Sequence, residues 1–240
     1  MAYSSKKHIK TKKPWALTAN RFICFIDIMG FKNMVMRNSH AEIYKLLLTL
    51  SKLRTIAEEE FSFDNQKDSL KSVSFSDSII IFTKDDSIDC FEAITSASNF
   101  LFSKAMEFEI PMKGALAHGE LSINITSQVF FGQPLIDAYL LEEEIAFYGI
   151  VVHDTLEKFL NNNSLEIEAE FLGLYIECSA HFKSGKINHI MLNWLNFLKP
   201  QAGLSKRDIA LSLMKKQREK TSGGPRKYID NTISIINEME

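Results

Sequence analysis

The fold turns on two stretches, RFICFIDIMGF at 21–31 and KSVSFSDSIIIF at 71–82. Residues 21–28 are a short apolar run rich in β-formers, which predicts a buried strand. The second stretch holds two β-rich runs around Ser76-Asp77-Ser78, the pattern of a hairpin. Between them Ser39 is placed to cap a helix running to about Phe61, with Ile43, Leu46, Leu47, Leu50, Leu53 and Ile56 at helical spacing. After the hairpin, Ser87 is placed to cap a second helix carrying Ile88, Phe91, Ile94, Leu101, Ala105 and Phe108 on one face. Pro111 ends it, and 112–117 reads as a further strand. The order β-α-β-β-α-β predicts an α+β fold, the ferredoxin-like split βαβ arrangement.

Further along, 129–131 reads as a short strand and Pro134 as the opening of a helix through LIDAYLLEEEIAF. GIVVH is the next strand, followed by a helix at 154–160, a turn at Asn161-Asn162-Asn163 and a mainly β stretch at 165–193. Helices at 205–220 and 228–239 close the chain, separated by the breaker SGGP. The expected organisation is a basic N-terminal segment (1–20), a central domain (21–160), a mainly β extension (161–204) and a basic C-terminal helical tail (205–240).

Composition narrows the class. The chain has 240 residues, 45% apolar and 24% charged, with a net charge of −2. That is ordinary for a globular protein of one large domain. There is no apolar run long enough for a spanning helix, and MAYSSKKHIKTKK lacks the apolar core of a signal peptide. Cys24, Cys90 and Cys178 are odd in number and far apart, which excludes a disulfide framework and points to a cytoplasmic setting. Charge is uneven. Five Lys stand in residues 1–13 and eight Lys or Arg in 206–227, leaving 15 bases against 28 acids elsewhere. Neither basic stretch interleaves aromatics as a nucleic-acid platform would, so both read as solvated tails.

Two carboxylates carry the chemistry. Asp27 closes the first strand and Asp77 lies in the hairpin turn. In a ferredoxin-like sheet the first and third strands are central neighbours, so both carboxylates converge. Like charges held that close need a proton or a metal to compensate them. A hard divalent ion, its shell completed by substrate phosphates, is one resolution, and two such ions suit in-line displacement at phosphorus. The turn after Asp27, Met29, Gly30, Phe31 and Lys32, offers backbone N–H groups at a helix start that suit a triphosphate.

At these residues the sequence resembles class III nucleotidyl cyclases. FIDIMGF (25–31) is similar to their F-x-D-I-x-G-F signature, and SFSDSIIIF (74–82) to their second metal-aspartate hairpin. KGALAHGE (113–120) resembles the following strand, and FGQPLIDAYLLE (131–142) the strand-turn-helix that carries their catalytic asparagine and arginine. The resemblance covers about 21–155. It implies a head-to-tail homodimer with shared sites, conversion of a nucleoside triphosphate to a 3′,5′-cyclic monophosphate, and two Mn²⁺ or Mg²⁺ ions held by Asp27, Asp77 and the backbone of Ile28. It also implies that Phe31 lies near the substrate.

The departures narrow the resemblance. The two positions with which family members read a purine hold Val73 and Val129. The asparagine and arginine positions hold Ile136 and Leu140, with Asp137, Tyr139 and Glu142 around them. This altered pattern is similar to the pyrimidine cyclases of Pycsar antiphage systems, which make cUMP or cCMP and act through a separate effector. Lys32 and Lys113 are candidate phosphate ligands in place of the missing arginine. Lys71 reads as an exposed strand lysine, His118 as a hydrogen-bonded structural histidine and Glu142-Glu143-Glu144 as a solvated helix face. A catalytically silent nucleotide-sensing dimer and a purine cyclase are the alternative readings.

Overall fold

The computed structural model describes residues 14–62 and 68–239. The lysines of 1–13 lie outside the described residues. Strands β1 (Thr18–Ile28), β2 (Leu70–Phe75), β3 (Ser78–Thr83) and β4 (Met112–Asn124) form the order β2-β3-β1-β4, antiparallel throughout. Helices α1 (Phe31–Arg37) and α2 (His40–Glu60) connect β1 to β2, and α3 (Ile88–Glu107) connects β3 to β4. This is the βαββαβ core expected, with a short helix inserted after the first strand.

The sheet continues beyond it. β5 (Val129–Phe131) pairs with β4, and β6 (Ile150–Val152) joins β4 in parallel after α4 (Gln133–Glu144). Helices α5 (Asp154–Asn163) and α6 (Ala169–Leu172) lead to a hairpin of β7 (Tyr175–Phe182) and β8 (Gly185–Leu192). β8 pairs with β6, so the hairpin extends the same sheet. Asn161–Asn163 belong to the last turn of α5, where the sequence suggested a turn. The Asn163 side-chain amide donates to the Phe159 carbonyl at 2.8 Å, one turn back, and ties this turn to the helix.

Strand alternation on β1 sets the layers. Phe22 packs edge-on against Phe91 of α3 at 5.7 Å between ring centroids. Phe25 has the opposite parity and meets Tyr139 of α4 at 5.5 Å. Helices α3 and α4 therefore cover opposite faces of the sheet. α3 buries fourteen residues, among them the small polar Thr95, Ser96, Ser98, Asn99 and Ser103, which fits an element enclosed by the sheet, α2 and the chain beyond β8.

Ser39 closes a capping box with Glu42 at the start of α2, as its position predicts. The stripe of α2 is narrower than the pattern suggested, with Ile43, Leu50, Leu53 and Ala57 buried and Ile56 exposed. Ser87 occupies the cap position of α3, but its hydroxyl goes to Asp85 Oδ1 at 2.6 Å and not to the helix.

The basic C-terminal segment is no free tail. Helices α7 (Lys206–Glu219) and α8 (Gly224–Glu238) pack on each other and bury Ile209, Ala210, Met214, Ile229, Ile235 and Ile236. Its cations are partly spent within the fold: Lys220 contacts Glu109 at 2.6 Å and Arg218 contacts Asp230 at 2.5 Å. No helix among the described residues is long and apolar enough to cross a membrane.

Candidate active site

β1 and β3 place Asp27 opposite Ser78, and Ile28 donates its N–H to the Asp77 carbonyl at 3.1 Å. The end of the first strand is thus tied to the hairpin tip. Ser76 takes φ 56°, a left-handed conformation that non-glycine residues rarely adopt. This tight corner carries Asp77. The Ser78 hydroxyl donates to Asp27 Oδ1 at 3.3 Å, a contact that sequence reading missed.

Burial, reinforced by the charge of Asp77, pushes Asp27 up to about 6, while Ser78 and Lys113 pull it down. Two carboxylates strain against each other here. The donor set fits a hard divalent cation: two half-buried carboxylates, with Ile28 offering only its backbone. Among the described residues no three His, Cys, Asp or Glu side chains gather as a metal site. Phosphate oxygens of a ligand would have to complete any coordination shell.

The chain then turns at Gly30, whose φ of 71° favours glycine. Gly30 is the N-cap of α1, and no side chain caps that helix. Met29 donates its N–H to the Pro111 carbonyl at 2.9 Å, fixing the turn to the strand entering β4. Phe31 is half-buried against the core, and Lys32 is exposed.

Lys113 stands opposite Asp27 on β4 but is buried. Its ammonium donates to the Glu142 carbonyl oxygen at 2.8 Å and lies 3.0 Å from Glu142 Oε1. The structure thus commits to an ion pair the lysine that the sequence assigned to phosphate. It also corrects the reading of 142–144 as a solvated face at one position: Glu142 is only 2% exposed, whereas Glu143 and Glu144 are exposed as expected. Burial pushes Glu142 up to about 7, against the pull of Lys113. Glu142 stands one helical turn after Ala138, which is fully buried, so the two share the inward side of α4.

The remaining candidates divide. Val73 pairs with Ile80, which pairs with Phe25, so Val73 shares the Asp27 face. Tyr139 is on that side too, touching Phe25. Val129 is elsewhere. It pairs with Asn124, eleven residues beyond Lys113 on β4 and of opposite parity. At about 3.4 Å per residue the separation along the strand is roughly 37 Å. One chain does not bring Val129 to Asp27. Lys71 is an edge-strand lysine 3.5 Å from Asp68. His118 Nε2 lies 3.2 Å from Asp86 Oδ2, the hydrogen-bonded role expected of it.

No protein-family model and no curated protein matches the sequence. Solved structures do. The catalytic core of a rhodopsin-guanylyl cyclase with converted specificity, in complex with ATPαS, is 12% identical with a TM-score of 0.53, covering 73% of this chain and 96% of that one. A bacterial light-regulated adenylyl cyclase is 13% identical with a TM-score of 0.52, covering 74% and 91%. A dimeric guanylyl cyclase domain from the aquatic fungus Blastocladiella emersonii is 13% identical with a TM-score of 0.53, covering 74% and 98%. With its paired strands β1 and β3, its two aspartates at one end and its flanking helices, the chain has the fold of class III nucleotidyl cyclase catalytic domains.

Proposed function

We propose that the protein is a pyrimidine nucleotide cyclase that converts UTP, or CTP, to the 3′,5′-cyclic monophosphate and pyrophosphate. The observation that carries this reading is the meeting of Asp27 and Asp77 on hydrogen-bonded strands beside a glycine turn. Asp27, Asp77 and the backbone of Ile28 would hold two Mn²⁺ or Mg²⁺ ions. Such ions, when bound, acidify a hydroxyl and neutralise leaving oxygens. Gly30 and Phe31 present backbone N–H groups toward the triphosphate, beside Met29, whose own N–H is held by the Pro111 carbonyl, and exposed Lys32 adds a cation. The substrate 3′-oxygen bonds to the α-phosphorus, the bond to the β-phosphate breaks, pyrophosphate leaves, and the hydroxyl proton passes to water. The chain positions and neutralises, as phosphoryl transfer generally requires. By resemblance, the cyclic product is the messenger of an antiphage system in the cytoplasm and acts on a separate effector.

Base choice rests on Val73 and Val129. Apolar β-branched side chains touch a base without pairing with it, so a purine edge there loses water and gains no partner. UTP or CTP should exceed ATP and GTP in kcat/KM by at least about tenfold, roughly 1.4 kcal/mol. Comparable kcat/KM for ATP or GTP would return the chain to the purine-cyclase reading.

The site is completed by a second copy. Val129 is too far from Asp27 within one chain for both to face one substrate. The Asp27 side of the sheet also exposes apolar groups: Phe75 at 87%, Leu140 at 56% and Ile136 at 51%. A head-to-tail homodimer covers them. Light scattering should give twice 27.4 kDa, and Phe75→Asp should shift the protein to a monomer with turnover lost. A monomer that still turns over substrate contradicts the shared site.

The silent-sensor reading is favoured by one observation: Ile136 and Leu140 are exposed apolar residues where the family carries its asparagine and arginine. The paired carboxylates weigh against it, since a silent domain gains nothing from their repulsion.

A further inference from the structure

A cavity of about 590 Å³ is lined by residues of α1 and of the α7–α8 pair together with Met29 and Gly30, and neither Asp27 nor Asp77 is among its lining residues. Its volume is in the range that holds a small organic ligand. Three independent features define what it would take.

The first is charge. Arg37, exposed in the last turn of α1, has no acidic partner among the described residues. Lys220 lines the same mouth, and Glu109 there is shared between Lys220 and Lys216. Cations outnumber anions. The N-terminus of α8, a helix of 15 residues, opens here at Gly224 with no side-chain cap. Pro225 brings no N–H and the Arg226 N–H is taken by the Gly223 carbonyl, so what this helix start offers an anion is the positive end of its dipole.

The second is an orphaned donor. Gln217 lines the cavity, is only 7% exposed, and has no hydrogen-bond partner for its Nε2. A buried unpaired amide is costly, and an acceptor on a ligand would satisfy it. The third is the wall. Tyr148 and Tyr228 contribute two aromatic rings, with methionine and proline side chains around them. Such a surface suits a flat ring.

We propose that this cavity is a binding site for a small aromatic monoanion: ring against the tyrosine-lined wall, an acceptor toward Gln217, and the negative group toward Arg37 and the α8 N-terminus. Nothing in the proposal depends on the cyclase reading. It adds a second ligand site that shares a wall, Met29 and Gly30, with the phosphate turn.

The probe is 8-anilinonaphthalene-1-sulfonate, an aromatic monoanion, titrated into the full chain and read by its fluorescence. One saturable site per chain is expected. Arg37→Glu should weaken it by about tenfold or more, and Ser222→Trp, which plugs the mouth, should do the same. Both residues are exposed, so melting temperatures should hold. Phe75→Ser, on the opposite apolar surface, should leave the titration unchanged. Unaltered binding in both Arg37→Glu and Ser222→Trp overturns the proposal, as does loss of binding through Phe75→Ser alone. Because turnover is never read, failure here leaves the proposed activity untouched, and loss of that activity leaves this site standing.

Discussion

Asp27→Ala or Asp77→Ala should reduce turnover by about a thousandfold or more, roughly 4 kcal/mol of transition-state stabilisation, while the protein stays folded. The chain brings two carboxylates to the ion site and no third acidic, histidine or cysteine ligand among the described residues, so either loss breaks the set. Stability should hold because the removed group was under strain: the Asp27 carboxyl is pushed up to about 6 by burial and by Asp77. A pH signature follows. Folded Asp27 keeps its proton up to about 6, whereas the unfolded chain releases it near 3.8. Between those values the folded state binds more protons, so stability falls as pH rises through that window. Asp27→Asn should flatten the slope, and Mn²⁺ should reverse it by stabilising the charged pair. Melting curves from pH 4 to pH 7 check this. Near-normal turnover in either alanine variant would remove the carboxylates from the mechanism.

The second large effect concerns the pair beneath the site. Lys113→Met leaves the Glu142 carboxyl buried without its cation, and Glu142→Leu leaves the Lys113 ammonium with only the backbone carbonyls of residues 142 and 143 and no counter-charge. Removing one partner of a buried pair costs about 3 kcal/mol or more, whereas replacing both with apolar groups is often close to neutral. Each single variant should therefore melt well below wild type, and the double variant should recover much of the loss. Glu142 is pushed up to about 7, so part of the Lys113→Met penalty should fade below that pH as the carboxyl takes a proton. Additive losses in the double variant would show that the two side chains do not act as a pair.

These two pairs differ in how far the sequence announced them. Asp27 and Asp77 sit at the ends of uninterrupted β-forming runs, and strand pairing follows from runs of that kind joined by a short polar turn. Their meeting was legible, as were β1, the β2–β3 hairpin and the capping box at Ser39. Lys113 and Glu142 meet across 29 residues, by a β4–α4 contact that no local pattern encodes. Glu142 heads a run of three glutamates, and that composition hid its position on the buried side of α4. The docking of α7 and α8 was hidden for a related reason. Their excess of Lys and Arg suggested solvent, but charge on one side of a helix says little about the apolar stripe on the other. The cavity at Arg37 and Gln217 arises only from that docking.

The account stands most directly on product identity. Purified protein should be incubated with Mn²⁺ and each of the four nucleoside triphosphates separately, and the products resolved by mass. The expected result is a 3′,5′-cyclic pyrimidine monophosphate with one equivalent of pyrophosphate, from UTP or CTP, absent in Asp27→Ala. No cyclic product from any of the four, with the protein folded and dimeric, would contradict it.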